Sequence, residues 1–207
     1  MESQQYPSAL LENAVHELSK LPGIGQKTAF RLIMHLLRQG NVQMSELADA
    51  LKKLSENVHY CMRCHSISDS ELCDICKNPK RNQSVLCIVE DVNDMMAIEK
   101  THQYHGLYHV LGGLISPMDG ISPSQLNIAS LEERLTHETF IEIIFALSAT
   151  VEGDSTAFYI YKRLKEYPIL FTTIAKGISV GNELEYTDEI TLARSIVQRL
   201  VFDKEAK

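Results

Sequence analysis

Apolar positions along the chain change their period twice. In residues 8–20 and 26–39 they recur at helical spacing, and the five residues between, "LPGIG", hold a proline and two glycines. This predicts two helices joined by a tight break. A third helix fits 43–58, with Ser45 as its cap and Leu47, Leu51 and Leu54 along one side. From residue 84 the period shortens, and "SVLCIV", "LYHVLG", "FIEIIFAL" and "PILFTTI" read as strands separated by helices at 93–100, 124–136 and 155–166. Such alternation predicts a parallel sheet covered by helices. A final segment, 187–201, opens with "TDE" and carries Ile190, Leu192, Ala193, Ile196, Val197 and Leu200. It reads as an amphipathic C-terminal helix able to pack on another subunit.

Between these two textures, residues 59–82 hold four of the five cysteines and few large apolar residues. Cys61-x2-Cys64-x8-Cys73-x2-Cys76 places two Cys-x-x-Cys turns where each can present two thiolates to one tetrahedral Zn²⁺, with no position left open for water. One structural ion per chain is therefore expected. A pair of disulfides is the alternative, and a cytoplasmic setting disfavours it. His65 adjoins Cys64 and is read as a bystander. Cys87, inside "SVLCIV", reads as a buried strand residue. The histidines of "THQYHGLYHV" lack the helical spacing that a second metal site would need.

The helical break carries its own chemistry. Gly23 and Gly25 let the backbone turn sharply and approach another molecule, and they leave free N–H groups at the start of the next helix. Such a start attracts phosphate. On that helix Lys27, Arg31, His35 and Arg38 fall within a sector of roughly 80°, opposite Ala29, Leu32, Ile33, Leu36 and Leu37. Spacing alone leaves open an ordinary solvated helix corner. The whole string "LPGIGQKTA" resembles the helix-hairpin-helix of non-sequence-specific DNA-binding proteins, which would contact phosphates rather than base edges.

Charge and composition locate this chemistry. The net charge of −7 is uneven: residues 1–82 carry ten Lys+Arg against nine Asp+Glu, and residues 83–207 ten against eighteen. An acidic total does not exclude nucleic acid, because the charge on one face decides. The first twenty residues lack the basic start and apolar core of a secretory signal, and no apolar run is long enough to span a bilayer, so the expected location is the cytoplasm.

Two acidic positions fall where open parallel sheets put their sites, at the carboxyl ends of strands. Glu90 follows the first strand, and Glu152 and Asp154 follow "FIEIIFAL". This pattern looks like the Toprim fold of topoisomerases and primases, in whose active members a D-x-D pair binds Mg²⁺. Aligned on "VEGDSTA", those two positions are Ser148 and Thr150 here. Two hydroxyls are poor ligands for a hard dication, although Glu90, Glu152 and Asp154 could hold a weak ion. A Mg²⁺-dependent DNA nicking enzyme is thus the disfavoured alternative, and no G-x-x-x-x-G-K-[ST] loop is present for ATP.

The order of parts resembles the RecR family of bacterial recombination mediators. The residues that carry it are "LPGIGQKTAFRL", "CMRCHSISDSELCDIC", "VEDVNDMMAIEKT", "YHVLGGLISPMDGI", "ATVEGDSTA" and "VGNELEYTDEITLARS". The resemblance implies a multi-part α/β chain. Its parts would be a helix-hairpin-helix over 1–57, a four-cysteine zinc finger over 58–82, a Toprim domain over 84–179 and a C-terminal helical oligomerisation segment over 180–207. It further implies a tetrameric ring or clamp with no enzymatic activity, with DNA contacts at Lys27 and Arg31. The partners would be RecO and RecF, the task the loading of RecA onto single-stranded DNA, and the setting the nucleoid. Glu152 is implied as a partner contact, with Glu90 and Asp154 beside it on the same face. Many members of that family have Asn where Ser148 stands here, and Gly-Gly in place of residues 181–182.

Overall fold

The computed structural model describes residues 6–181 and 183–199. They fall into two compact units, divided between Val58 and His59. In the first, helices α1 (Ala9–Ser19) and α2 (Gln26–Gln39) bury Val15, Ala29 and Ile33 against each other. Gly23, at φ +79°, makes the break between them. Helix α3 (Asn41–Asn57) starts two residues before the expected position, and Ser45 lies inside it rather than capping it. The reason is Gly40, whose φ of +93° ends α2 and lets the next helix begin at once. Helix α3 buries none of its residues, and Leu47, Leu51 and Leu54 are exposed. Leu32 and Leu37 of α2, expected on its packed side, are exposed as well.

The second unit opens with a short antiparallel hairpin that the apolar pattern did not announce, β1 (His59–Tyr60) with β2 (Ile67–Ser68), followed by the single turn α4 (Asp74–Lys77). Then comes the α/β layer: β3 (Val85–Val89), α5 (Val92–Glu99), β4 (Leu107–Val110), α6 (Ile128–His137), β5 (Glu142–Ala146), α7 (Val151–Leu164) and β6 (Leu170–Thr173). The four strands stand in the order β4-β3-β5-β6, all parallel, with Leu86 beside Leu107 and Ile143. Buried on both faces, β3 reads as an unbroken apolar run. Its residues divide between two cores. Leu86 and Ile88 pack with Leu131, Ile143 and Ile160, whereas Cys87 and Val89 pack with Met95 and Tyr108.

Two expected helices shift. The one at 124–136 becomes a 3₁₀ turn, Pro123–Gln125, followed by α6 from Ile128. The one at 155–166 begins four residues earlier, at Val151. Helix α8 (Glu189–Val197) completes the described chain, capped by the Asp188 side chain on Thr191 N–H. Residues Asn182 and Leu200, and the end of the expected C-terminal segment, lie outside the described residues. None of the described helices is long and apolar enough to cross a membrane.

Strand β4 is an edge strand, yet all four of its residues are buried. The cysteine-bearing segment covers it: Val110 N–H donates to Cys64 C=O at 2.8 Å. Around this joint Glu138 accepts from Nε and Nη2 of Arg63, at 2.9 and 2.8 Å, and from Arg134 Nε at 3.0 Å. Arg134 also donates to Tyr108 C=O at 2.7 Å. Residues 59–82 are therefore no free-standing insert, because their backbone and charges are built into the sheet unit.

Candidate functional site

Helix α2 begins at Gln26 after Gly25, which supplies no side chain to cap it. The first N–H groups of the helix therefore have no intrahelical or side-chain partner. Lys27, Arg31, His35 and Arg38 are all exposed on this helix, and Gly23 and Gly25 are exposed at its start. A Cβ added at either glycine would meet nothing within 4 Å, so Gly23 is required for its positive φ and not for want of space. Backbone donors and guanidinium and ammonium groups thus share one open face, which suits a polyanion.

The four cysteines converge. Cys61, Cys64, Cys73 and Cys76 are buried, unbridged, and hold their sulfurs within 4.8 Å of one another. Backbone N–H groups point at two of those sulfurs, from Cys73 to Cys61 Sγ at 3.3 Å and from Cys76 to Cys73 Sγ at 3.4 Å. Donors aimed at sulfur stabilise thiolates, the form that binds metal. Contact with the neighbouring sulfurs, Cys64 first and then Cys76, drives the Cys73 thiol strongly downward, and the same pairing with Cys73 drives Cys64 upward. Four sulfurs in this arrangement fit one structural zinc ion.

His65 is not among the ligands. Its Nε2 meets Ser130 Oγ at 2.7 Å, and its ring lies edge-on to His109 at 5.2 Å. His109 itself is fully buried, with Nε2 on Asn127 C=O at 2.7 Å and Nδ1 without a partner. Among the described residues the four cysteines form the one metal-ligand cluster. Cys87 is buried in β3, and burial pushes its thiol up to about 12.

At the carboxyl edge of the sheet the three candidate carboxylates are not gathered. Glu90 accepts a hydrogen bond from Ser148 Oγ at 2.8 Å. One of the two positions where a metal-binding aspartate would stand is therefore a neutral donor already turned onto the glutamate. The other, Thr150, caps α7 by accepting from Gly153 N–H at 3.1 Å. That cap starts the helix early and puts Glu152 and Asp154 on its first turn instead of in a loop. Gly153 is indispensable there, because a Cβ would collide with Ser148 C=O.

Asp154 is engaged on both oxygens, by Lys176 Nζ and by Arg194 Nη2, the latter at 3.7 Å. Glu152 is exposed and has no ion pair among the described residues. A cleft of about 800 Å³ opens beside α7, bounded by Ser148–Val151, Ile174–Gly177 and α8. Sequence reasoning missed Lys176 and Arg194 because their relation to Asp154 spans 22 and 40 residues. It also missed the cap, although Thr150 two and four residues ahead of acidic positions carries that signal.

Four family models match the chain in order: RecR helix-hairpin-helix over 11–54, RecR four-cysteine zinc finger domain over 58–78, Toprim domain over 84–175 and RecR C-terminal over 177–199. A recombination protein RecR of Flavobacterium johnsoniae is 55% identical over 203 residues, 98% of each chain. Its namesake in Bacteroides thetaiotaomicron is 56% identical over 200 residues, 97% of this chain and 98% of its own. That of Cytophaga hutchinsonii is 58% identical over 199 residues, 96% of this chain and 97% of its own.

Proposed function

The chain belongs to the RecR family of recombination proteins, and on that premise we propose that it is a non-catalytic DNA clamp acting in recombinational repair. With RecO and RecF it helps load RecA onto single-stranded DNA at the nucleoid, as a homo-oligomer, a tetrameric ring. The observation that carries the DNA-binding part is the uncapped start of α2 with Lys27, Arg31 and Arg38 exposed behind it. Phosphates would take the free N–H groups beyond Gly23 and Gly25 and the two nearest cations, in a manner blind to base sequence. The hydroxyl pair at Ser148 and Thr150 supports the absence of Mg²⁺ chemistry, since each hydroxyl is already committed to another task. Glu152, with Glu90 and Asp154 on the same edge, is assigned to partner proteins.

The test is to incubate the protein with supercoiled and single-stranded DNA in Mg²⁺ and to score binding and strand integrity together. Binding with intact strands is expected. Lys27→Ala/Arg31→Ala should weaken it and reduce the slope of log Kobs against log[salt] by about 0.7–0.9 per lost contact. Strand breakage abolished by Glu90→Gln would instead make the protein an enzyme, and an unchanged salt slope would remove the hairpin from the interface.

A further inference from the structure

Both oxygens of Asp154 are taken by cations from the segment that follows β6: Lys176 from the loop and Arg194 from α8. That segment returns to the carboxyl edge of the sheet and borders the cleft beside the first turn of α7. In an enzyme of this fold the acidic edge would be neutralised by a dication. Here the chain's own ammonium and guanidinium groups neutralise it, while Glu152, two residues earlier on the same turn, faces solvent.

We infer that the C-terminal segment is an internal competitor for the partner-binding edge: Lys176 and Arg194 occupy the counter-charge at Asp154 that a basic side chain of a partner would take. This rests on the assignment of Glu152 and Asp154 to partner binding made above. The chemistry favours a contact poised to open. Side chains of Asp154 and Arg194 are 48% and 45% exposed, and an ion pair of that exposure is weak and salt-screened, while Lys176, 20% exposed, is the more sheltered of the two cations. A partner that offers an Arg or Lys to Asp154 and a second contact to Glu152 outcompetes them. In doing so it frees the 174–195 segment from α7. Binding at the edge and release of the segment are then linked, and each favours the other.

Two measurements on the full chain separate this inference from the reading beneath it. Hydrogen exchange requires no partner: Asp154→Asn and Lys176→Gln/Arg194→Gln should both speed exchange across 174–195. Unchanged exchange in both would overturn the competition outright. In a titration with cognate RecO, Lys176→Gln/Arg194→Gln should tighten binding about three- to tenfold, the scale of one or two exposed ion pairs, whereas Glu152→Gln should weaken it. If Glu152→Gln weakens binding and the cation variant does not tighten it, the partner site stands and the competition falls. If neither variant changes affinity, the partner assignment of this edge falls, and with it the competition.

Discussion

His109 shows what a single residue contributes when it is buried without its full complement of partners. Burial pushes its pKa down from 6.5 to about 3, opposed in part by the carbonyl of Asn127. The folded state therefore keeps the ring neutral where the unfolded chain would protonate it. By linkage its contribution to stability is complete above about pH 6.5 and is lost as pH falls toward 3, at up to about 1.4 kcal/mol per pH unit. Denaturant titrations between pH 7 and 4 should show this slope, and His109→Gln should reduce it by about one proton. An identical slope in the variant would remove His109 from the acid response. The histidine-rich stretch hinted at metal chemistry. The surroundings decide otherwise: Nε2 is committed to Asn127 C=O, and among the described residues no second and third ligand gather beside the ring.

At the scale of the element, α7 gives the "VEGDSTA" string a structural role. Thr150 caps the helix, Gly153 admits the Ser148 carbonyl, and buried Thr156 donates to Glu152 C=O while accepting from Ile115 N–H. Thr150, Gly153 and Thr156 thus each have a structural task in the turn. Gly153→Ala should cost about 1–3 kcal/mol, as overpacking does, and it should displace Ser148 from Glu90. Thermal denaturation with exchange at residues 148–156 would measure both effects, and a neutral substitution would show that the loop yields freely. The strand was legible from its apolar run. The helix start was not, because hydroxyls at Ser148 and Thr150 read equally well as decayed ligands and as caps, and only the positions of their oxygens distinguish the two.

On the scale of the whole second unit, the zinc element and the sheet stand or fall together. Cys64 C=O holds β4, and Glu138 ties Arg63 of the finger to Arg134 of α6, with 21–25% of the Arg63 and Glu138 side chains exposed. Burial raises the Glu138 carboxyl, and Arg63 and Arg134 more than offset it, leaving the carboxylate below its usual range. Cys73→Ser, or removal of zinc by a chelator, should therefore loosen β4 and α6 as well as residues 59–78. Hydrogen exchange would show it, and protection lost only within the finger would refute the coupling.

Sequence alone determined the order of parts, the four metal ligands and the basic face of α2. Each of these rests on local spacing, which period, turn chemistry and Cys-x-x-Cys geometry express within a few residues. Tertiary structure alone decided which charges meet. Arg63 reaches Glu138 across 75 residues, Lys176 and Arg194 return to Asp154, and Ser148 turns to Glu90 across 58. Side-chain pairing over such separations is set by how the sheet orders its strands and where the chain crosses back, and a pattern of local periods carries no record of it.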